Sequence, residues 1–417
     1  MRVNIPSSFF AIAPLKILGA VTSTLLVLAV IAIGGGGEEV AIVMSLALAG
    51  NLSGVLLWSR VLSYSRKYVT GYIGGYVGIF ITLILLYDKS ITSIYVASFL
   101  LIFMMNLTYL SAMFLVAEEY SDKLGEMMSR LESVGGWAWV AGLGIGAAIV
   151  DLLDYITLIT LLTLISFIGI LLSIVLLAPS IIKRIVEGFK KDLGLLPLLD
   201  MSLQKIIEYE ETIPETILSG IHVIFSGSIM NFPIYIRFRG ISKERLLLYS
   251  AILTQFLAFG LVYSQLITYL KGLGYVDSFI YIFSMVGSVV SALMYPRAGR
   301  VTTISKYLIS SNILRIVLFI MLIILEYTPP ILKTAILILF AVIDGYTWAY
   351  IVIILNLIAI KHSKEEVGIS NFIRNIGNLI GAFASGFIIS LFNIELNFFI
   401  GIIVLSLSTI LYIRTIR

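Results

Sequence analysis

Two charged residues stand where charge is costly. Asp344 lies within Ile343-Asp344-Gly345-Tyr346-Thr347-Trp348, and Arg315 within Ile313-Leu314-Arg315-Ile316-Val317. Each is embedded in a long apolar run. An acid and a base held away from water can pair and relieve each other's desolvation. An isolated carboxylate in such a place can instead take up and release a proton. Uncharged polar groups at similar positions in other apolar runs are Asn51, Asn106, Tyr109 and Gln255. Asn371, Arg374, Asn375 and Asn378 recur at helical spacing and share one face. Other chemistries lack their reagents. The chain has no cysteine and two histidines, His222 and His362. Disulfides, thiolate nucleophiles and cysteine-ligated metals are excluded, and a histidine-based metal site lacks ligands. Neither G-x-x-x-x-G-K-[ST] nor H-E-x-x-H occurs, so nucleotide-driven and zinc-protease chemistry have no motif. No catalytic residue, metal or cofactor is expected.

The elements that hold these residues are read from composition. Of 417 residues, 59% are hydrophobic and 12% charged. Soluble domains have about 45–50% apolar and about 25% charged residues. A bilayer solvates the excess. Helix is the state that satisfies its own backbone in lipid, and the alternating pattern of a barrel strand is missing. Spans are expected near 15–33, 40–58, 68–87, 91–117, 134–151 and 156–178. Six more are expected near 246–270, 275–295, 307–326, 331–360, 369–391 and 394–413. This gives an all-α membrane protein of two six-helix bundles, 1–178 and 246–417, joined by a polar linker, 179–245. Within the linker, 214–236 is apolar but carries His222, Asn231 and Pro233. It is expected to lie at the interface or to re-enter the bilayer rather than cross it.

Charge placement supports that reading. With twelve spans, all but four of the 28 lysines and arginines fall on one side. Three (Lys89, Lys271 and Lys333) fall on the other, and Arg315 lies within a span. Cytoplasmic loops carry such an excess. Both termini and the segments around Arg60, Arg184, Arg239, Arg300 and Lys364 are therefore expected in the cytoplasm. A thirteenth crossing would abolish the bias.

The halves repeat. Arg60-Val61-Leu62-Ser63-Tyr64-Ser65-Arg66-Lys67-Tyr68 follows the second span, and Arg300-Val301-Thr302-Thr303-Ile304-Ser305-Lys306-Tyr307 follows the eighth. Later come Gly125 and Arg130 in the first half, Gly368 and Arg374 in the second. Six plus six helices, a basic central loop and a basic turn after the second helix of each half resemble the major facilitator superfamily. That family's turn reads G-x-x-x-D-[RK]-x-G-[RK]. Here Ala292, Pro296, Arg297, Gly299 and Arg300 occupy its positions, with proline in place of the aspartate.

The resemblance implies a secondary transporter that moves a small solute across the cell membrane by alternating access, with or without a coupled ion or proton. Its first, fourth, seventh and tenth helices would line the pathway. Asp344, Asn106, Gln255, Arg315 and Tyr109 are the candidate substrate or coupling residues. Arg60, Arg66, Lys67, Arg297, Arg300 and Arg374 are the candidate cytoplasmic gate. A sensor or scaffold that retains the fold is the alternative. The lipid bilayer and an unnamed small molecule are the expected partners, with no nucleic acid, and the chain is expected to be a monomer.

Overall fold

The computed structural model of the protein describes residues 6–65, 67–120, 124–192, 242–301, 303–362 and 364–415. Twelve long helices run through these residues. In the first half they are α1 Ala13–Ala32, α2 Gly37–Ser65, α3 Tyr68–Leu85, α4 Ile91–Glu119, α5 Leu124–Ile149 and α6 Tyr155–Asp192. In the second they are α7 Lys243–Gly272, α8 Asp277–Ala298, α9 Ile304–Leu325, α10 Pro330–His362, α11 Lys364–Leu391 and α12 Ile394–Thr415. A 3-10 turn, Ser7–Ile12, precedes α1. Eleven of these segments are long and apolar enough to cross a membrane. The exception is α5, whose glycines and charges (Glu126, Arg130 and Glu132) lower its hydropathy. The apolar segment 214–236 and Arg66 lie outside the described residues.

Two boundaries differ from the sequence reading. Helix α5 begins at Leu124, ten residues before the expected start of the span. Helix α6 continues past the expected end of its span to Asp192. In both places polar residues continue a helix beyond the apolar stretch. Hydropathy marks where lipid ends, and backbone hydrogen bonding does not stop there.

The repeat extends to the turns. Helix α1 closes with Gly34 at φ 89°, and α7 closes with Gly274 at φ 85°. These glycines stand the same distance apart in sequence as Arg60 and Arg300. Each is followed by a backbone N–H that returns to a carbonyl one turn back: Gly35 to Val30 at 2.9 Å, Tyr275 to Leu270 at 3.2 Å. This is the left-handed cap that glycine accepts without Cβ strain.

Packing repeats as well. In the first half α2 and α3 pack on α4, α1 on α5 and α6, and α3 on α6. Adding six to each helix number gives the contacts of the second half: α8 and α9 on α10, α7 on α11 and α12, α9 on α12. The halves meet through α2 with α11 and through α5 with α8, two contacts that exchange under the same operation. The fold is thus two six-helix bundles related by a pseudo-twofold.

Hydrogen bonds join the halves from mid-bundle toward the end that holds the 33–36, 150–154 and 273–276 turns. The Tyr281 hydroxyl donates to Val21 O at 2.8 Å, and Gln265 Nε2 to Gly37 O at 3.0 Å. Ser278 N donates to Asp151 Oδ2 at 3.3 Å, and Asn51 Nδ2 to Asn375 Oδ1 at 3.2 Å.

Small residues set the closest helix approaches. A Cβ on Gly345 would lie 2.1 Å from Gly287 O, and one on Gly381 2.2 Å from Leu257 O. Both obstacles are backbone, which cannot rotate away. Gly74, on α3, has nothing within 4 Å. Gly345→Ala should therefore lower thermal stability in detergent, by ~1–3 kcal/mol as overpacked sites do. Gly74→Ala should be neutral or slightly stabilising, since alanine is the better helix former. Melting curves of the two variants that coincide would refute this packing.

Candidate functional site

Helices α7, α9 and α10 bring three polar side chains together near mid-bundle. Arg315 Nη2 lies 3.0 Å from Asp344 Oδ1, so the acid and base form an ion pair. The Tyr263 hydroxyl bridges them. It donates to Asp344 Oδ1 and accepts from Arg315 Nη1, the latter at 2.7 Å. Arg315 Nε donates to Thr347 Oγ1 at 3.0 Å, and Nη2 also reaches the Asp344 carbonyl at 3.2 Å. Every guanidinium nitrogen thus has an acceptor. The rings of Phe259, Tyr263 and Trp348 enclose it, with centroids 4.5, 5.4 and 5.5 Å from Cζ. Such ring contacts favour a desolvated cation.

The pair is asymmetric toward water. The Arg315 side chain is 1% exposed and that of Asp344 26%. Asp344 Oδ1 takes both bonds, whereas Oδ2 has no hydrogen-bond partner among the described residues. The carboxylate borders a cavity of ≈ 290 Å³. Phe259, Tyr263 and Trp348 form one wall, Asn378 and Ala382 of α11 another, and Met44 and Leu48 of α2 close it from the first half. The site is therefore a small, largely apolar chamber between the halves that presents one carboxylate edge and the Asn378 amide. A single carboxylate can accept a hydrogen bond from a bound solute or carry a proton.

The remaining candidates are placed as follows. Asn106 lies on α4 and donates to Asn51 Oδ1 at 3.0 Å and to its own helix at Ile102 O, 2.9 Å. Through Asn51 and Asn375 it is the first link of an amide chain crossing from one half to the other. Gln255 is fully buried, donates to Asn312 Oδ1 at 2.6 Å and accepts from the Tyr412 hydroxyl at 2.8 Å. Both ends of its amide are used inside the second bundle, away from the chamber lining. Tyr109 donates to Glu132 Oε1, and Lys16 Nζ stands 4.4 Å from its ring centroid. Gly135 makes room for the lysine stem, since a Cβ there would lie 3.0 Å from Lys16 Cε.

Of the expected gate residues, Arg60, Arg297 and Arg300 are exposed and Lys67 is half-buried. Arg297 reaches Met294 Sδ at 3.9 Å. Arg374 is buried and turned toward α7 and α10, with Nη1 donating to Asn356 Oδ1 at 3.0 Å and Asn371 Oδ1 at 3.2 Å. It faces the inside of the second bundle and is not with the exposed basic turns.

Sequence reasoning does not single out Tyr263, Thr347, Trp348, Lys16 or Glu132. Thr347 and Trp348 stand within one turn of Asp344 and are legible by proximity. Lys16 reads as a flanking charge, and Glu132 lies before the expected start of its span.

A mid-bundle chamber between two pseudo-symmetric six-helix bundles defines a polytopic membrane transport protein. The family model for the Major Facilitator Superfamily matches residues 7–370, and the chain belongs to that superfamily of transporters. The fold is shared with solved members. The nucleoside transporter NupG aligns at TM-score 0.64 and 13% identity, over 100% of this chain and 99% of that one. A POT family transporter in complex with a thioalcohol-conjugated peptide aligns at 0.69 and 13%, over 98% and 95%. A bacterial homologue of the iron transporter ferroportin, in an inward-facing state, aligns at 0.68 and 12%, over 98% and 97%. No curated protein matches the chain.

The ion pair can be tested by a double-mutant cycle in Arg315→Met and Asp344→Asn. Removing one partner of a fully buried pair costs about 3–5 kcal/mol. Removal of Asp344 is expected to cost less, because its exposed edge is already partly solvated. The double variant should regain part of the loss. Strictly additive melting shifts would show that the two side chains are not coupled.

Proposed function

We propose that the chain is a secondary transporter that moves a small solute by alternating access, with Asp344 at the binding or coupling position. One observation carries this reading. A carboxylate near mid-bundle is held from behind by Arg315 and Tyr263 while its other edge borders a chamber closed by both halves. An intramembrane acid that faces a cavity is by default a candidate functional residue, and Asp344 is 26% exposed. The lining suits a solute with an apolar or planar body and a hydrogen-bond donor for the carboxylate. The chamber is small, which favours a solute of modest size. The three solved relatives are named as a nucleoside transporter, a peptide-bound POT family transporter and a homologue of an iron transporter, so the fold alone does not select a substrate.

The same reading orients the molecule. The excess of lysine and arginine puts the termini and the basic turns with Arg60, Arg297 and Arg300 in the cytoplasm. The four hydrogen bonds named above between the halves then lie from mid-bundle to the outer side, which suits a chamber approached from within. The basic turns are suited to bond helix C-terminal carbonyls when the inner side closes.

Orientation is tested with single cysteines, which the chain lacks. Lys243→Cys should react with an impermeant maleimide only after cells are permeabilised. Leu152→Cys, in the turn at the opposite end, should react on intact cells. The reverse pattern would overturn the proposed topology.

Transport itself is tested by a ligand-stabilisation screen of the purified chain, followed by uptake of each stabilising solute into proteoliposomes. At least one such solute should accumulate or exchange through the wild type. Asp344→Asn should remain folded and inserted, with its uptake reduced at least about tenfold, the loss of one transition-state or binding contact. Full uptake by that variant would remove Asp344 from the proposed site. A stabilising solute that never crosses the membrane would favour a sensor.

A further inference from the structure

Arg374 is buried like Arg315 but is satisfied very differently. Its side chain lies where the residue is 7% exposed, packed among α7, α10 and α11. The Phe256 ring centroid stands 5.8 Å from Cζ. Only Nη1 is used, and both its acceptors, Asn356 Oδ1 and Asn371 Oδ1, are neutral amide oxygens. No carboxylate of the described residues pairs with it. Nε and Nη2 have no hydrogen-bond partner among the described residues. Those two groups share one edge of the guanidinium, and their N–H bonds run parallel. That edge is the fork that grips two oxygens of a carboxylate or phosphate.

A third donor stands beside it. Ser370 precedes Arg374 by one helical turn on the same face of α11. It is 2% exposed, and its hydroxyl also has no partner among the described residues. Three unpartnered groups able to donate, two of them on a cation, thus gather near the start of one helix. Arg315 shows that this bundle can satisfy a buried guanidinium completely with its own acceptors. At Arg374 the described residues satisfy one guanidinium nitrogen of three, and the edge left over suits a negative charge with paired oxygens.

We infer that Arg374 and Ser370 form an oxyanion site that takes a phosphate group, separate from the chamber at Asp344. Asn378, one turn beyond Arg374, lines the chamber, so the two sites are neighbours along α11. Asn371, next to Ser370 in the chain and bonded to Arg374, is exposed and marks the side from which a ligand would enter. The phosphate has two sources there: free inorganic phosphate in the adjoining water, or the headgroup of an anionic lipid. Opposite charge at the fork and bidentate geometry suit both.

The purified full chain is brought into gluconate buffer at constant ionic strength, and sodium phosphate is titrated while thermal unfolding is followed. A saturable rise in unfolding temperature is expected, as for any ligand of the folded state alone. In a second arm the chain is placed in nanodiscs of neutral lipid, with or without phosphatidylglycerol and without free phosphate. A rise only in the second arm assigns the site to a headgroup; a rise in the first assigns it to the free anion. Arg374→Lys keeps the charge but loses the fork, and should weaken the response at least about tenfold in half-saturating concentration. Ser370→Ala leaves the cation in place and should weaken it by a smaller factor. No response in either arm would overturn the site, and so would an undiminished response in Arg374→Lys.

Discussion

A guanidinium enclosed near the middle of a membrane bundle constrains everything around it. The Arg315 side chain is 1% exposed, and a charge at that depth costs from about 3 to over 10 kcal/mol when unsupported. It is tolerated because its neighbours are fixed to meet it. Asp344 supplies the opposite charge, Tyr263 and Thr347 supply oxygens, and Phe259 and Trp348 supply ring faces. These residues come from α7 and α10, so three helices of the second half are tied at one point. The carboxylate edge left over is what the chamber sees.

The first half is built on the same plan without that knot. Its helices pack in the same pairs, yet its charged cluster is looser. Lys16 rests over Tyr109, which bonds Glu132, and Glu132 is exposed. The two halves are alike in backbone and unlike in polarity. Among the described residues, only Met44 and Leu48 represent the first half in the chamber wall. The second half therefore holds the polar part of the proposed site, and the first half presents an apolar surface to it.

Much of the fold was legible because lipid imposes simple rules. Span length, the one-sided excess of lysine and arginine, and the repeated turn around Arg60 and Arg300 point to six plus six helices. The paired left-handed glycines, Gly34 and Gly274, carry the repeat down to single dihedrals. Depth along a helix was also readable, which is why Arg315 and Asp344 stand out together. Rotation about the helix axis was not. A helix that is apolar all round carries little periodic signal to say which side faces a neighbour. Gln255 and Arg374 stand out by their position along their helices, but the structure turns both into the second bundle. Tyr263 was missed for a related reason: a tyrosine in a span is equally at home as bulk, and only the meeting of three helices reveals its hydroxyl as a bridge.

Beside Asp344 the chain places a glycine, and there α10 meets α8 backbone to backbone. Gly345 has no side chain between it and Gly287, and its carbonyl accepts from Ser291 at 2.9 Å. Helix α8 is also one of the helices that touch the opposite half, through α5. A side chain at the crossing would act as a spring, absorbing small shifts by changing rotamer. Bare backbone has no such compliance. A displacement of α8 against α5 would therefore meet α10 at its backbone, one residue from the carboxylate. In mechanical terms, the chamber's one acidic edge sits beside a rigid backbone-to-backbone crossing.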